Sequence, residues 1–157
     1  MTAPLTARAP GVRVLVVDDD GNMADVVAGF LSSRGCAARA AYDGPSALAA
    51  APEFCPDVVL LDIDMPGMNG YEVARRLREV PALDGAVLLA FTGHADQEHR
   101  RQSNEAGMAL HLVKPMELQS LWDVLAGFGR GTQNGSRRSP ARGPRDWGAA
   151  RVATRVH

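Results

Sequence analysis

Lysine is almost missing from this sequence: of 17 basic residues, 16 are arginine and one is Lys114. A general bias towards arginine and alanine explains the skew but not the exception. Cysteine is nearly as rare, with Cys36 and Cys55 alone among 157 residues. Two thiols in a chain this long do not make a disulfide framework, which points to a reducing, cytoplasmic setting. Neither has a CxxC partner or a neighbouring metal ligand, so both read as small buried or half-buried thiols. No apolar stretch approaches the roughly 20 residues that a membrane span needs. The opening segment, MTAPLTARAPG, has no hydrophobic h-region and gives no sign of export. What remains is 46% apolar and 22% charged. Such a chain is too apolar to be disordered throughout, and long enough for one domain with a remainder.

The near-neutral total charge of −1 hides an asymmetry. Residues 127–157 carry seven arginines against the single acid Asp146, a net +6, while the rest carries a net −7. That last segment also gathers Gly, Ser and Pro without a sustained apolar period, so residues 129–157 read as a disordered Arg/Gly-rich tail. Residues 1–11 read as a short disordered leader, leaving 12–128 as the folded domain. A basic tail invites a nucleic-acid reading. Trp147 is its sole candidate for base stacking, and no specific DNA binding is expected.

Within the folded part, short apolar runs alternate with helix-like segments. Arg13–Asp18 (RVLVVD) is a continuous apolar run ending in acid, as in a strand buried on both faces. Asn22–Arg34 follows, with Met23, Val26, Val27, Phe30 and Leu31 on one helical stripe and Gly35 as the stop. Ala37–Tyr42 is a weak strand suited to a sheet edge, and Asp43 caps a short helix with Pro45 in its first turn. Val58–Asp62 and Ala86–Phe91 are strong strands, and Gly70–Glu79 is a helix between them. A polar helix over 95–106 ends at Gly107, then come a strand at Leu110–Val113 and a helix at Glu117–Phe128. Five β-α units in succession predict an α/β fold: a doubly wound (βα)5 sandwich around a five-stranded parallel sheet.

In an open α/β sheet, ligands bind beyond the carboxyl ends of the strands. Asp18, Asp19 and Asp20 follow the first strand, Asp62 ends the third, Thr92 follows the fourth, and Lys114-Pro115 follow the fifth. Carboxylates converging on one pocket repel each other and drive their pKa values up. A hard divalent cation removes that cost, and Mg2+ suits a few carboxylates with waters and phosphate oxygens. A hydroxyl and an ammonium aimed at the same place add donors for phosphoryl oxygens. The set reads as a Mg2+–phosphoryl site, with Asp20 a helix-start acid rather than a ligand.

Four motifs stand in order: VLVVDDD at 14–20, VVLLDIDMPGMNG at 58–70, AFTGHAD at 90–96 and HLVKP at 111–115. Through them the sequence resembles a two-component receiver domain, the phosphoacceptor module of response regulators and hybrid kinases, over residues 13–128. The resemblance implies the flavodoxin-like strand order 2-1-3-4-5. It implies that Asp62 is the phosphoacceptor, served by a sensor histidine kinase or a histidine phosphotransfer protein. It further implies that Asp19 binds Mg2+ directly and Asp18 largely through water, with Asp62 and the backbone carbonyl of Asp64 completing the metal ligands. Thr92 and Lys114 would each take a phosphoryl oxygen, and the Lys114–Pro115 peptide would be cis. Such transfer needs alignment and charge neutralisation more than covalent chemistry from the protein. Asp64 and His94 occupy positions that tune dephosphorylation in receivers. His111 stands where many receivers carry a Tyr or Phe that swings inward on activation; a histidine is smaller and can titrate near neutral pH.

Only 29 residues follow Phe128, too few and too polar for a winged-helix output domain. The expectation is therefore a stand-alone receiver with output through protein–protein contact and no turnover of an external substrate. An effector would read the fourth helix, fifth strand and fifth helix. The fourth helix has hardly any apolar anchor, as befits a mobile signalling face, and His99 on it reads as solvent-exposed. One alternative belongs to another class. Asp62-Ile63-Asp64 is a DxD after an apolar strand, as in haloacid-dehalogenase-like phosphatases, with Asp62 as nucleophile and Asp64 as general acid. Against it, Met65-Pro66 replace the expected Thr or Val, an acidic pair precedes on the first strand, and no cap insertion is present.

Overall fold

The computed structural model describes residues 12–94 and 96–134, with side chains through residue 127. The leader at 1–11, Ala95 and the tail from 135 onward lie outside the described residues. Strands and helices alternate as β1 Arg13–Val17, α1 Gly21–Ser33, β2 Ala37–Ala41, α2 Gly44–Phe54, β3 Val58–Asp62, α3 Gly70–Arg78, β4 Val87–Thr92, α4 Gln97–Glu105, β5 Leu110–Val113 and α5 Leu118–Asn134. All pairings are parallel, in the order β2-β1-β3-β4-β5. This is the doubly wound flavodoxin-like sandwich that the alternation of elements and the four motifs predict.

Continuous apolar runs put buried residues on both faces of β1, β3, β4 and β5, so the sheet must be covered on both sides. Successive side chains point oppositely, which splits the core in two. Val14, Val16, Leu60, Leu89 and Leu112 pack with Ala24, Val27 and Leu31 of α1 and with Leu121 and Leu125 of α5. Leu15, Val17, Val59, Leu61 and Leu88 pack with Ala47 and Ala51 of α2 and with Val73, Ala74 and Leu77 of α3. Each fully buried leucine contributes about 1.5–3 kcal/mol relative to exposure. β2, with sequence AARAA and mostly half-exposed, forms one edge.

Side-chain caps start four helices. Asp20, Asp43, Asn69 and Asp96 accept from the backbone N–H of Met23, Ser46, Glu72 and His99, each satisfying one orphan donor. Asp20 is thus the helix-start acid of the sequence reading. Gly35 and Gly107 follow α1 and α4 at φ 97° and 88°, a conformation that glycine adopts without Cβ strain. No helix among the described residues is long and apolar enough to cross a membrane.

Three local expectations need correction. The buried line of α1 is Ala24, Val27 and Leu31; Met23 and Val26 are exposed and Phe30 is half-buried. Small Ala24 turns the helix so that the two larger side chains fall outside. Helix α5 runs to Asn134 rather than stopping at Phe128, so residues 129–134 belong to it and not to the tail. Its glycines weaken a helix by only about 1 kcal/mol each, and no proline intervenes before Pro140. Cys55 is exposed, and caps α2 in a left-handed conformation at φ 52°. As its polar sequence predicts, α4 buries Ser103 but no large apolar side chain. It is held instead through Tyr71 Oη, which donates to the carbonyl of His99 at 3.1 Å, and by the bond of Ser103 to His111.

Candidate functional site

The winding of the sheet changes sense between β1 and β3, with β2 on one side and β3, β4 and β5 on the other. That leaves a crevice at the carboxyl ends of the central strands. Register decides what enters it. Val17 pairs with Leu61, so the next residues, Asp18 and Asp62, come side by side. Asp62 pairs with Phe91 and Thr92 with Val113, which brings Thr92 and Lys114 to the same end. The Lys114–Pro115 peptide is cis.

Asp18, Asp62 and Thr92 are buried, and Lys114 is half-buried. Lys114 Nζ donates to Asp18 Oδ2 at 3.1 Å and to Asp62 Oδ1 at 3.2 Å. It also stands 5.3 Å from the centre of the Phe91 ring, a contact that a cation favours. The other oxygen of Asp18 accepts from the backbone N–H of Asp20 at 2.9 Å. Oxygens of Asp18, Asp19 and Asp62 all lie within 4.8 Å of one another, with Asp19 exposed. Three carboxylates at that spacing, one open to solvent, fit a hard divalent cation that keeps some of its water.

The electrostatics follow from this crowding. Burial, then the charge of Asp18, push the Asp62 carboxyl from 3.8 up to about 7, against the pull of Lys114. Burial disfavours the Lys114 ammonium, but its bonds and charge contacts with Asp18 and Asp62 outweigh this and raise its pKa. The site holds more negative than positive charge, and a cation would relieve it.

Asp64 points elsewhere. Its Oδ2 accepts from Thr92 Oγ1 at 3.3 Å and lies 3.2 Å from His94 Nε2. Its carboxylate is therefore not one of the three that converge. Thr92 Oγ1 in turn accepts from the backbone N–H of His94 at 3.2 Å. The ring of His111 is buried and held at both nitrogens, 2.9 Å from Ser103 Oγ at Nδ1 and donating to the carbonyl of His94 at 2.6 Å through Nε2. Burial lowers its pKa from the ordinary histidine value, against the bond to the carbonyl of His94, and so favours the neutral form of this doubly bonded ring. Sequence reading missed Ser103, Phe91 and the stacking of His99 on His94 described below. The spacing of Ser103 and His111 across the α4–β5 turn was the signal available for the first.

The family model for the response regulator receiver domain matches residues 14–126. The chain belongs to this family. Response regulator PleD of Caulobacter vibrioides is 35% identical over 105 residues, 67% of this chain and 23% of that protein. DNA-binding response regulator MtrA of Mycobacterium tuberculosis is 37% identical over 109 residues, 69% of this chain and 46% of that protein. The receiver thus spans less than half the length of either relative. Among solved structures, chemotaxis protein CheY4 of Vibrio cholerae superposes with a TM-score of 0.72 at 29% identity, over 74% of this chain and 98% of that one. These likenesses put the receiver in two-component signalling.

Proposed function

We propose that this receiver is a phosphorylation-activated switch that takes a phosphoryl group on Asp62 from the phosphohistidine of a sensor histidine kinase or a histidine phosphotransfer protein. The observation that carries the reading is the sharing of one ammonium, Lys114, between the buried carboxylates of Asp18 and Asp62. An Asp62 oxygen would attack phosphorus, and the P–N bond to the donor imidazole would break with its electron pair leaving on nitrogen. An acyl phosphate results. Mg2+, held by Asp19 and Asp62 with the carbonyl of Asp64 and with Asp18 through water, would neutralise charge on the phosphoryl oxygens when bound. Lys114 would exchange its bond to Asp62 Oδ1 for one to a phosphoryl oxygen. Thr92 Oγ1, which donates to Asp64, would turn to another.

Phosphorylation would replace the single charge of the Asp62 carboxylate with a phosphoryl group carrying about −1.5 to −2, and would shift a pre-existing equilibrium of the β4–α4 loop and α4. Output would be a contact with an effector protein in the cytoplasm, and turnover of external substrates is not expected. Asp64 and His94, paired at 3.2 Å, would tune loss of the phosphoryl group. The engagement of Asp64 by Thr92 and His94 argues against its service as the general acid of a haloacid-dehalogenase-like phosphatase. Intact-mass measurement after incubation with acetyl phosphate and Mg2+ tests the reading. One added phosphoryl group is expected, abolished by Asp62→Asn and by EDTA. Repeated hydrolysis of small phosphate esters that depends on Asp64 would overturn it.

A further inference from the structure

Where β4 passes into α4, the structure gathers a second set of metal-binding side chains. His94 lies two residues beyond Thr92, Asp96 caps α4, and His99 sits in its first turn. One ligand atom from each lies within 4.8 Å of the others. The imidazoles of His94 and His99 stack with centres 4.2 Å apart and planes 7° from parallel. Both oxygens of Asp96 reach His99 Nδ1, at 2.7 and 2.9 Å. His99 is therefore not the solvated residue that its polar helix suggests.

We propose that His94, Asp96 and His99 form a zinc-class transition-metal site, separate from the acidic crevice, that clamps the β4–α4 loop. Two imidazoles and a carboxylate select zinc, cobalt or nickel, whereas magnesium and calcium take oxygen ligands almost exclusively. Bonds of about 2.0–2.2 Å to a tetrahedral ion put ligand atoms roughly 3.4 Å apart. Rotation of exposed side chains covers the remaining distance: the side chain of His94 is 47% accessible and that of Asp96 57%. The ion takes the place of the proton that His99 Nδ1 now gives to Asp96, and the ring keeps a proton at Nε2 instead, so that it binds as a neutral imidazole. The cap from Asp96 Oδ1 to the backbone N–H of His99, 2.9 Å, can persist. Water completes the coordination. Asp64, beside His94, brings a second carboxylate near the dication, which opposes the unfavourable dipole of the helix start.

The clamp would act on the switch because the backbone of His94 bonds both Thr92 and His111. The test is titration of the full chain with zinc chloride in saturating Mg2+, which keeps the acidic crevice occupied. One zinc equivalent is expected, with the ring resonances of His94 and His99 shifting together in NMR spectra. His99→Ala should weaken binding tenfold or more. So should Asp96→Ser, which keeps a helix-capping oxygen while removing the carboxylate. Folding of both variants is checked by circular dichroism. Absence of zinc binding, or resonance shifts confined to His111 or His157, overturns the proposal. So does thiolate-to-metal charge transfer with cobalt(II), which would assign binding to Cys36 or Cys55. Full affinity in either folded variant does the same.

Discussion

Lys114 Nζ lies 3.2 Å from Asp62 Oδ1, and this pair joins the carboxyl ends of the third and fifth strands across the crevice. The relation arises from register rather than from proximity in sequence, since 52 residues separate the two. It explains why the one lysine of an arginine-rich chain stands where it does. An ammonium is a compact charge with three donors on a flexible stem, able to serve Asp18 and Asp62 together and then turn to a phosphoryl oxygen. A guanidinium is a wider planar fork and cannot make the same exchange in the same space.

Lys114→Arg is therefore expected to keep the fold, with a melting temperature within a few degrees of the wild type, yet to accept phosphate from acetyl phosphate about tenfold more slowly. Time-resolved intact-mass measurement reads the rate. Equal rates in the two proteins would make the single lysine an accident of composition.

Asp62 gives a pH signature in the metal-free protein. Its carboxyl is raised in the fold from 3.8 to about 7, so its contribution to stability is complete below the lower value and is lost as pH rises through the upper one. Asparagine imitates the protonated form at every pH. In EDTA, Asp62→Asn should be more stable than the wild type at pH 8, and the gap should shrink steadily as pH falls from about 7 towards 4. Urea denaturation at a series of pH values checks this. A gap independent of pH would mean that the buried carboxylate is not the strained group.

Most of the fold was legible because β1, β3, β4 and β5 are uninterrupted apolar runs, and because glycines and capping acids punctuate the helices. Asp18, Asp62, Thr92 and Lys114 were legible for the same reason: strand ends in a parallel sheet converge whatever the loops do. The misses share a different cause. The phase of α1 depended on small Ala24, which carries little hydrophobic signal beside Met23 and Val26. The stack of His99 on His94 depends on how the chain folds back after β4, and the two-sided grip on His111 depends on a serine in a helix with no apolar pattern. Polar partners across a turn leave no periodicity to read.

Gly70 carries a steric prediction. A Cβ there would come within 2.5 Å of the carbonyl oxygen of Asp62 and 2.8 Å of Ile63 Cα, both backbone atoms that cannot step aside alone. Gly70→Ala should destabilise the protein by about 1–3 kcal/mol, the usual cost of overpacking. It should also displace Asp62 and reduce phosphorylation although residue 70 touches no reacting group. Denaturation and intact-mass measurements on one preparation would separate the two effects, and unchanged phosphorylation would show that β3 absorbs the shift.

His111 supplies the last prediction, and its pH dependence runs opposite to that of Asp62. Burial, with Arg100 and His99 adding like charge, lowers its pKa below 6.5 despite the favourable bond to His94. A base lowered in the fold contributes stability that is present above its unfolded value and is lost as pH falls through the folded one. His111→Gln removes that titration while keeping groups that can donate and accept. In EDTA, the stability of the wild type relative to this variant should therefore decline as pH drops below about 6.5. His111→Ala should behave differently, losing about 1–3 kcal/mol at neutral pH because the hydroxyl of Ser103 and the carbonyl of His94 are left without their partner. If alanine costs nothing there, water replaces the imidazole and the ring is not what ties α4 to β5.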